Sequence, residues 1–89
     1  MRKSKITAQF KKDVKRVERR GYEMKKLSVV IAALLENEPL DQQYKDHLLK
    51  GNYAGTRECH IAPDWLLIYK ADDEVLFLMR TGSHADLFK

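Results

Sequence analysis

His60, Asp64, Trp65, Arg80 and His84 fall in the last third of an 89-residue chain, among short apolar runs, with His47 just upstream. Histidine gives and takes protons near neutral pH, since its unperturbed pKa is about 6.5. A carboxylate beside an imidazole raises its basicity and fixes its tautomer. Asp64 lies just around the turn from His60, the arrangement a general base needs, but for an isolated H-x-x-x-D a turn-forming Asp64 beside a solvated His60 is the stronger reading from residue type alone. Arg80 carries a planar, permanently charged fork suited to phosphate oxygens, where charge grows in phosphoryl transfer. His84 follows it, with Gly82 between them to let the chain bend. Trp65 and Phe88 offer faces on which bases stack. By residue type alone each also has a plain structural use: His60 as a solvated strand residue, Asp64 as a turn former, Arg80 as a salt-bridge partner, Trp65 as core.

Other chemistries find less support. The three histidines are widely spaced, without an HExxH pair or paired cysteines, so no metal is expected. There is no Gly-rich phosphate loop, GxSxG elbow or Walker motif, and no cofactor is expected. Seventeen Lys and Arg against 13 Asp and Glu give a net charge of +4 and a pI near 9.3, which favours a polyanionic partner. Cys59 is the only cysteine, which rules out an intrachain disulfide and fits a reducing cytoplasm. It alternates with polar Glu58 and His60, so it is expected to be a small buried hydrophobe while they face outward. The longest apolar run, Leu27 to Leu35, is too short to cross a bilayer, and a soluble cytoplasmic protein without a membrane partner is expected.

At this length the chain builds one domain, residues 1–89, with one modest core and a shallow active site. Residues 1–7 form a thin strand pattern. From Phe10 the period becomes helical: Phe10, Val14 and Val17 recur on one face while Lys11, Lys12, Lys15, Arg16, Arg19 and Arg20 take the others, down to a stop at Gly21. A second helix runs from Met24 through Leu35 and ends before Pro39. After a Gly51–Gly55 loop come three strand-like runs, Thr56–Ala62, Trp65–Lys70 and Glu74–Thr81, joined by turns at Pro63-Asp64 and Asp72-Asp73. The middle run is apolar on both faces and is therefore expected at the sheet centre. The order β-α-α-β-β-β predicts an α+β fold, an antiparallel sheet of about four strands packed against an N-terminal helical hairpin.

Three segments carry a resemblance: Tyr44 to Gly51 (YKDHLLKG), His60 to Lys70 (HIAPDWLLIYK) and Arg80 to Phe88 (RTGSHADLF). With the order of elements, they resemble the YafQ branch of the RelE-type toxins of bacterial type II toxin–antitoxin pairs, along essentially the whole chain. The resemblance implies a RelE-like fold and a ribosome-dependent endoribonuclease that cuts mRNA without metal. It implies functional positions at His47, His60, Asp64, Trp65, Arg80, His84 and Phe88, and helices whose Lys11, Lys12, Lys15 and Arg16 grip ribosomal RNA. It implies as partners the 70S ribosome with its mRNA, a cognate antitoxin of the ribbon-helix-helix type, and operator DNA reached only through the antitoxin complex.

For such an enzyme the nucleophile is the RNA 2′-hydroxyl, which attacks the adjacent phosphate in line and leaves a 2′,3′-cyclic phosphate. We assign His84 as general acid, His60 with Asp64 as the base side, Arg80 as the transition-state clamp and His47 as a contact to the substrate phosphate. Acid–base groups contribute about 10² to 10⁴ each and one charge-stabilising donor about 10² to 10³. Two rival functions are a ParE-like toxin acting on DNA gyrase, which needs no histidine cluster, and a plain RNA-binding module.

Overall fold

The computed structural model describes residues 1–88. In chain order it contains β1 (Lys3–Ile6), α1 (Ala8–Arg19), α2 (Met24–Leu35), β2 (His47–Leu48), β3 (Arg57–Ala62), β4 (Trp65–Ala71), β5 (Val75–Gly82) and α3 (His84–Phe88), with short 3₁₀ turns at Gln42–Tyr44 and Gly51–Tyr53. The sheet order is β1-β5-β4-β3-β2. β2 to β5 form the expected antiparallel ladders. Two features depart from the expected four antiparallel strands. The sheet has a fifth strand, the two-residue β2, and β1 runs parallel to β5. A pair of residues is too short to show a period-2 pattern, and β1 is exposed along its length, so neither strand direction nor the extra edge is written in hydropathy.

β4 is the central strand because both of its faces are covered. Trp65, Leu67 and Tyr69 join Phe10, Val17, Leu27, Val30 and Leu34 in the main core under α1 and α2. Leu66 and Ile68 point the other way and are capped by Leu87 of α3, with Leu49, Tyr53 and Met79 packed around them. Strand alternation places Cys59 and Ile61 of β3 in the main core, so Glu58 and His60 belong to the opposite face. Cys59 is fully buried, which pushes its thiol up to about 12. It is an inert small hydrophobe.

α1 begins at Thr7, whose Oγ1 accepts from the Phe10 N–H at 2.9 Å and donates to the Met79 carbonyl at 2.8 Å. One side chain thus caps the helix and ties it to β5. The helix stops at Gly21, where φ is +83°, a left-handed turn that glycine adopts without steric penalty. β1 ends opposite Leu78, which leaves the following residues of β5 without a strand on that side. There Asp13 substitutes for a strand: its Oδ2 accepts from the Thr81 N–H at 3.2 Å.

Candidate active site

β5 ends in a bend that delivers His84. Gly82 has φ +154°, and a Cβ there would lie 2.8 Å from Asp86 Oδ2 and 3.2 Å from Arg16 Nη2. The turn is therefore closed to larger residues. Ser83 and Asp86 then cap α3 reciprocally: the Ser83 N–H donates to Asp86 Oδ2 at 2.9 Å and the Asp86 N–H to Ser83 Oγ at 3.2 Å. Arg20 grips the same carboxylate through two bonds of 2.7 and 3.1 Å. That bidentate hydrogen bonding, foremost, holds the Asp86 carboxyl far below the usual carboxylate range. A five-residue helix would fray on its own; here it is pinned to α1 with His84 as its first residue.

Asp64 meets His84, not His60. Its Oδ1 accepts from the His84 backbone N–H at 2.9 Å and lies 2.6 Å from the His84 Nδ1. This corrects the expected His60–Asp64 pairing. The turn at Pro63-Asp64 points the carboxylate toward the end of β5, which sequence distance alone does not reveal. A carboxylate only accepts, so Nδ1 carries the proton and Nε2 is left for chemistry. The backbone bond from His84 and then the ring bond keep Asp64 ionised by lowering its pKa.

The carboxylate beside His60 is Glu58. Its Oε2 lies 3.9 Å from His60 Nε2 and 3.0 Å from His47 Nε2. Glu58 is buried, contrary to the expectation that it faces solvent, because β2 sets His47 directly opposite it. The His47 Nδ1 is 2.7 Å from the Lys45 carbonyl. Both nitrogens of His47 thus face protein acceptors, leaving none for the expected phosphate contact; the ring instead holds Glu58. The preceding residue is anchored too, with Tyr69 Oη donating to Asp46 at 2.7 Å and Arg57 bonding the same carboxylate. His60 sits midway in a row of imidazoles, 6.4 Å from His47 and 5.7 Å from His84 between ring centres. Burial above all, assisted by the positive charge potential of His84, Lys45 and His47, pulls its pKa below the ordinary value against the opposing pull of Glu58. The same environment favours its neutral form.

Arg80 lies apart from this row in its bonding. Its Nε donates to Asp13 Oδ2 at 2.7 Å and its Nη2 to Asp13 Oδ1 at 3.3 Å, while Nη1 is 3.4 Å from Tyr53 Oη. Asp13 is fully buried and also accepts from Gln9 and Arg16. The outer nitrogen Nη1 is the part of the fork left toward Tyr53 and the α3 face.

The remaining expected binding residues divide. Lys11, Lys12 and Lys15 are exposed on α1. Arg16 is instead half-buried, bonded to Asp13 and 3.8 Å from Asp86, so its charge belongs to the internal network. Phe88 is exposed and packs edge-to-face on Tyr53. Trp65 is 3% exposed, with its ring against Tyr22 and its indole N–H donating to Thr81 Oγ1 at 2.8 Å; it is core and offers no face to a base. Sequence reading missed Asp13, Tyr53, Glu58 and Asp86. Asp13 had a signal, an acid three residues after Phe10 on the apolar stripe of α1. Among the described residues, no three His, Cys, Asp or Glu are grouped to hold a metal ion, and no helix is long and apolar enough to cross a membrane.

A small α+β domain with a row of imidazoles across one sheet face, an orienting carboxylate and a nearby arginine defines a class of acid–base site on a basic scaffold. Residues 2–89 match the family described as bacterial toxin of type II toxin–antitoxin system, YafQ. The chain belongs to that family. It is 46% identical over 83 residues to the mRNA interferase toxin YafQ of Escherichia coli strain K12, spanning 92% of this chain and 90% of the relative. The crystal structure of YafQ from E. coli strain BL21(DE3) superposes with a TM-score of 0.95 at 42% identity over the whole of both chains. The toxin in the E. coli DinJ–YafQ complex superposes at 0.93 with 43% identity, again over the whole of both.

Proposed function

We propose that this toxin is an mRNA interferase that cuts ribosome-bound mRNA through the RNA 2′-hydroxyl. The observation that carries the reading is the His60–His84 pair, 5.7 Å between ring centres, with His84 oriented by Asp64. Two imidazoles so placed serve the two reacting oxygens of a single phosphate. His60, neutral through burial, removes the 2′-hydroxyl proton. His84 enters protonated and gives the Nε2 proton to the departing 5′-oxygen, while Nδ1 stays on Asp64. Arg80 Nη1 faces the charge that grows on the phosphate, and Phe88 supplies a stacking face. His47 holds Glu58, which flanks His60.

The site is open and has little wall to orient an RNA strand, so the ribosome supplies the in-line geometry. Exposed Lys11, Lys12 and Lys15 on α1 provide the electrostatic grip on ribosomal RNA. Ribosomes place the protein in the cytoplasm. The complex that E. coli YafQ forms with DinJ supports a cognate antitoxin here, for which we propose a ribbon-helix-helix protein whose complex with the toxin binds operator DNA.

Primer extension on mRNA programmed into 70S ribosomes, beside the same RNA free in solution, tests this reading. Strong, site-specific cutting on ribosomes and weak cutting of free RNA is expected. Equal rates on both would contradict ribosome dependence. Gyrase inhibition without cleavage would identify the ParE-like activity, and binding without cleavage a plain RNA-binding module. Reversing charge at Lys11, Lys12 and Lys15 together should weaken ribosome association and flatten its salt dependence.

A further inference from the structure

A groove of about 620 Å³ opens beside His60, between α2 and the Gln42–Tyr44 turn. We propose that it is the subsite for the nucleotide next to the scissile phosphate, and that it reads that base. The proposal rests on the nuclease reading and adds a specificity element to it. Three properties of the groove match a nucleotide. Its volume falls in the range of small-ligand sites, about 300–1,000 Å³. Its composition is amphipathic in the manner a nucleotide requires: Lys26 and Lys45 bring positive charge, Val29 and Pro63 give apolar surface for a base face, and no Asp or Glu lines it among the described residues. Lys26 has only a loose 3.9 Å contact with exposed Glu23, which leaves its ammonium available to a phosphate.

The third property is continuity. His60 is both a wall of this groove and the middle of the imidazole row. β2 pairs only with Arg57 and Glu58, so β3 is the sheet edge at His60, and the groove on the α2 side meets the imidazole row of the other face there. A strand whose phosphate lies on His60 and His84 passes its neighbouring nucleotide round that edge to the groove mouth. Gln43 is exposed there, and its amide presents a donor and an acceptor on one group, the pattern that pairs with a base edge. Val29 is an apolar side chain left 53% exposed on α2, on the groove side rather than in the core.

The test uses the full-length toxin on 70S ribosomes programmed with mRNAs randomised around the cleavage position, and reads the cleavage spectrum for the wild type, Gln43→Ala and Val29→Trp. For Gln43→Ala, the ratio of kcat/KM between the most and least favoured base at the adjoining position should fall roughly tenfold, the scale of one lost pair of base-edge hydrogen bonds. Val29→Trp fills the groove and should lower cleavage at every site by about tenfold or more. Both changes are on the surface, and an unchanged far-ultraviolet circular dichroism spectrum verifies the fold. A spectrum and rate identical to wild type in both variants would overturn the subsite. Weakened antitoxin binding with an unaltered cleavage spectrum would overturn it also, and would mark the groove as a protein-docking surface. Failure of the wild type to cut any member of the library would refute the nuclease reading itself and remove the subsite with it.

Discussion

Asp64 Oδ1 lies 2.6 Å from the Nδ1 of His84 and 2.9 Å from its backbone nitrogen. One carboxylate oxygen therefore fixes both the ring and the start of the helix that carries it. The ring cannot rotate without losing the first bond, and α3 cannot shift without losing the second. His84 becomes a preoriented group although it is exposed near the end of the chain.

His84→Gln removes the proposed acid and should lower the cleavage rate by about 10² or more while leaving ribosome binding nearly intact. Asp64→Ala should give a smaller loss, about tenfold, because Nε2 survives but its orientation and tautomer are no longer fixed. A substrate whose 5′-oxygen is replaced by sulfur, a leaving group that needs little protonation, should largely rescue both. If the His84→Gln enzyme stays equally slow on this substrate, His84 acts in binding or in the base step.

The pH profile separates the two imidazoles. Burial favours neutral His60 and pulls its pKa below the ordinary 6.5. The ascending limb of the rate should therefore have its midpoint below pH 6.5 and should vanish in His60→Gln. Asp64 is no source of that limb: its lowered pKa keeps its bonds to His84 above the carboxylate range, and they are lost only as pH falls through that depressed value. The shift at His60 also has a stability consequence. The unfolded chain takes up the proton first, so stability contributed by neutral His60 is lost as pH falls below about 6.5. A limb centred above pH 6.5 would contradict the environment described for His60.

Asp13 is the structural counterpart of Arg80. It is fully buried and receives Gln9, Arg16, Arg80 and the Thr81 N–H. Asp13→Ala leaves two guanidinium groups and a backbone donor short of an acceptor and should destabilise the fold by about 3–5 kcal/mol in urea unfolding. Arg80→Lys should fold better than Asp13→Ala, since the ammonium still meets Asp13, yet lose cleavage because a single point charge cannot hold Asp13 and face a phosphate at once. Cleavage unaffected by Arg80→Lys would show that Arg80 is only an internal salt bridge.

The legible part of this chain is what local periodicity encodes. The stripe of Phe10 and Val17, the stop at Gly21, and the doubly apolar β4 each follow from side-chain spacing and turn chemistry, and the structure realises them. That the histidines cluster was also legible, since the fold gathers His47, His60 and His84 in one row. Which carboxylate meets which imidazole was not. Asp64 is four residues from His60 and twenty from His84, and only the bend at Gly82 and the clamp of Asp86 on Arg20 bring the distant partner closer than the near one. Glu58 looked exposed by alternation because a two-residue strand gives no hydropathy signal, and it is that strand's His47 that covers it. Trp65 opens a strand as an amphipathic aromatic, and whether its face is wet or dry depends on Tyr22 and Thr81, which are remote in sequence.

The central claim is that this site cuts RNA by activating the 2′-hydroxyl. The most direct test is the chemistry of the cut ends on ribosome-programmed mRNA, together with a single 2′-deoxy substitution at the nucleotide 5′ to the scissile bond. The account predicts a 2′,3′-cyclic phosphate or its 3′-phosphate hydrolysis product on the upstream fragment, a 5′-hydroxyl on the downstream fragment, and no cutting of the 2′-deoxy substrate. A 3′-hydroxyl and 5′-phosphate, or normal cleavage next to the 2′-deoxy nucleotide, would contradict it.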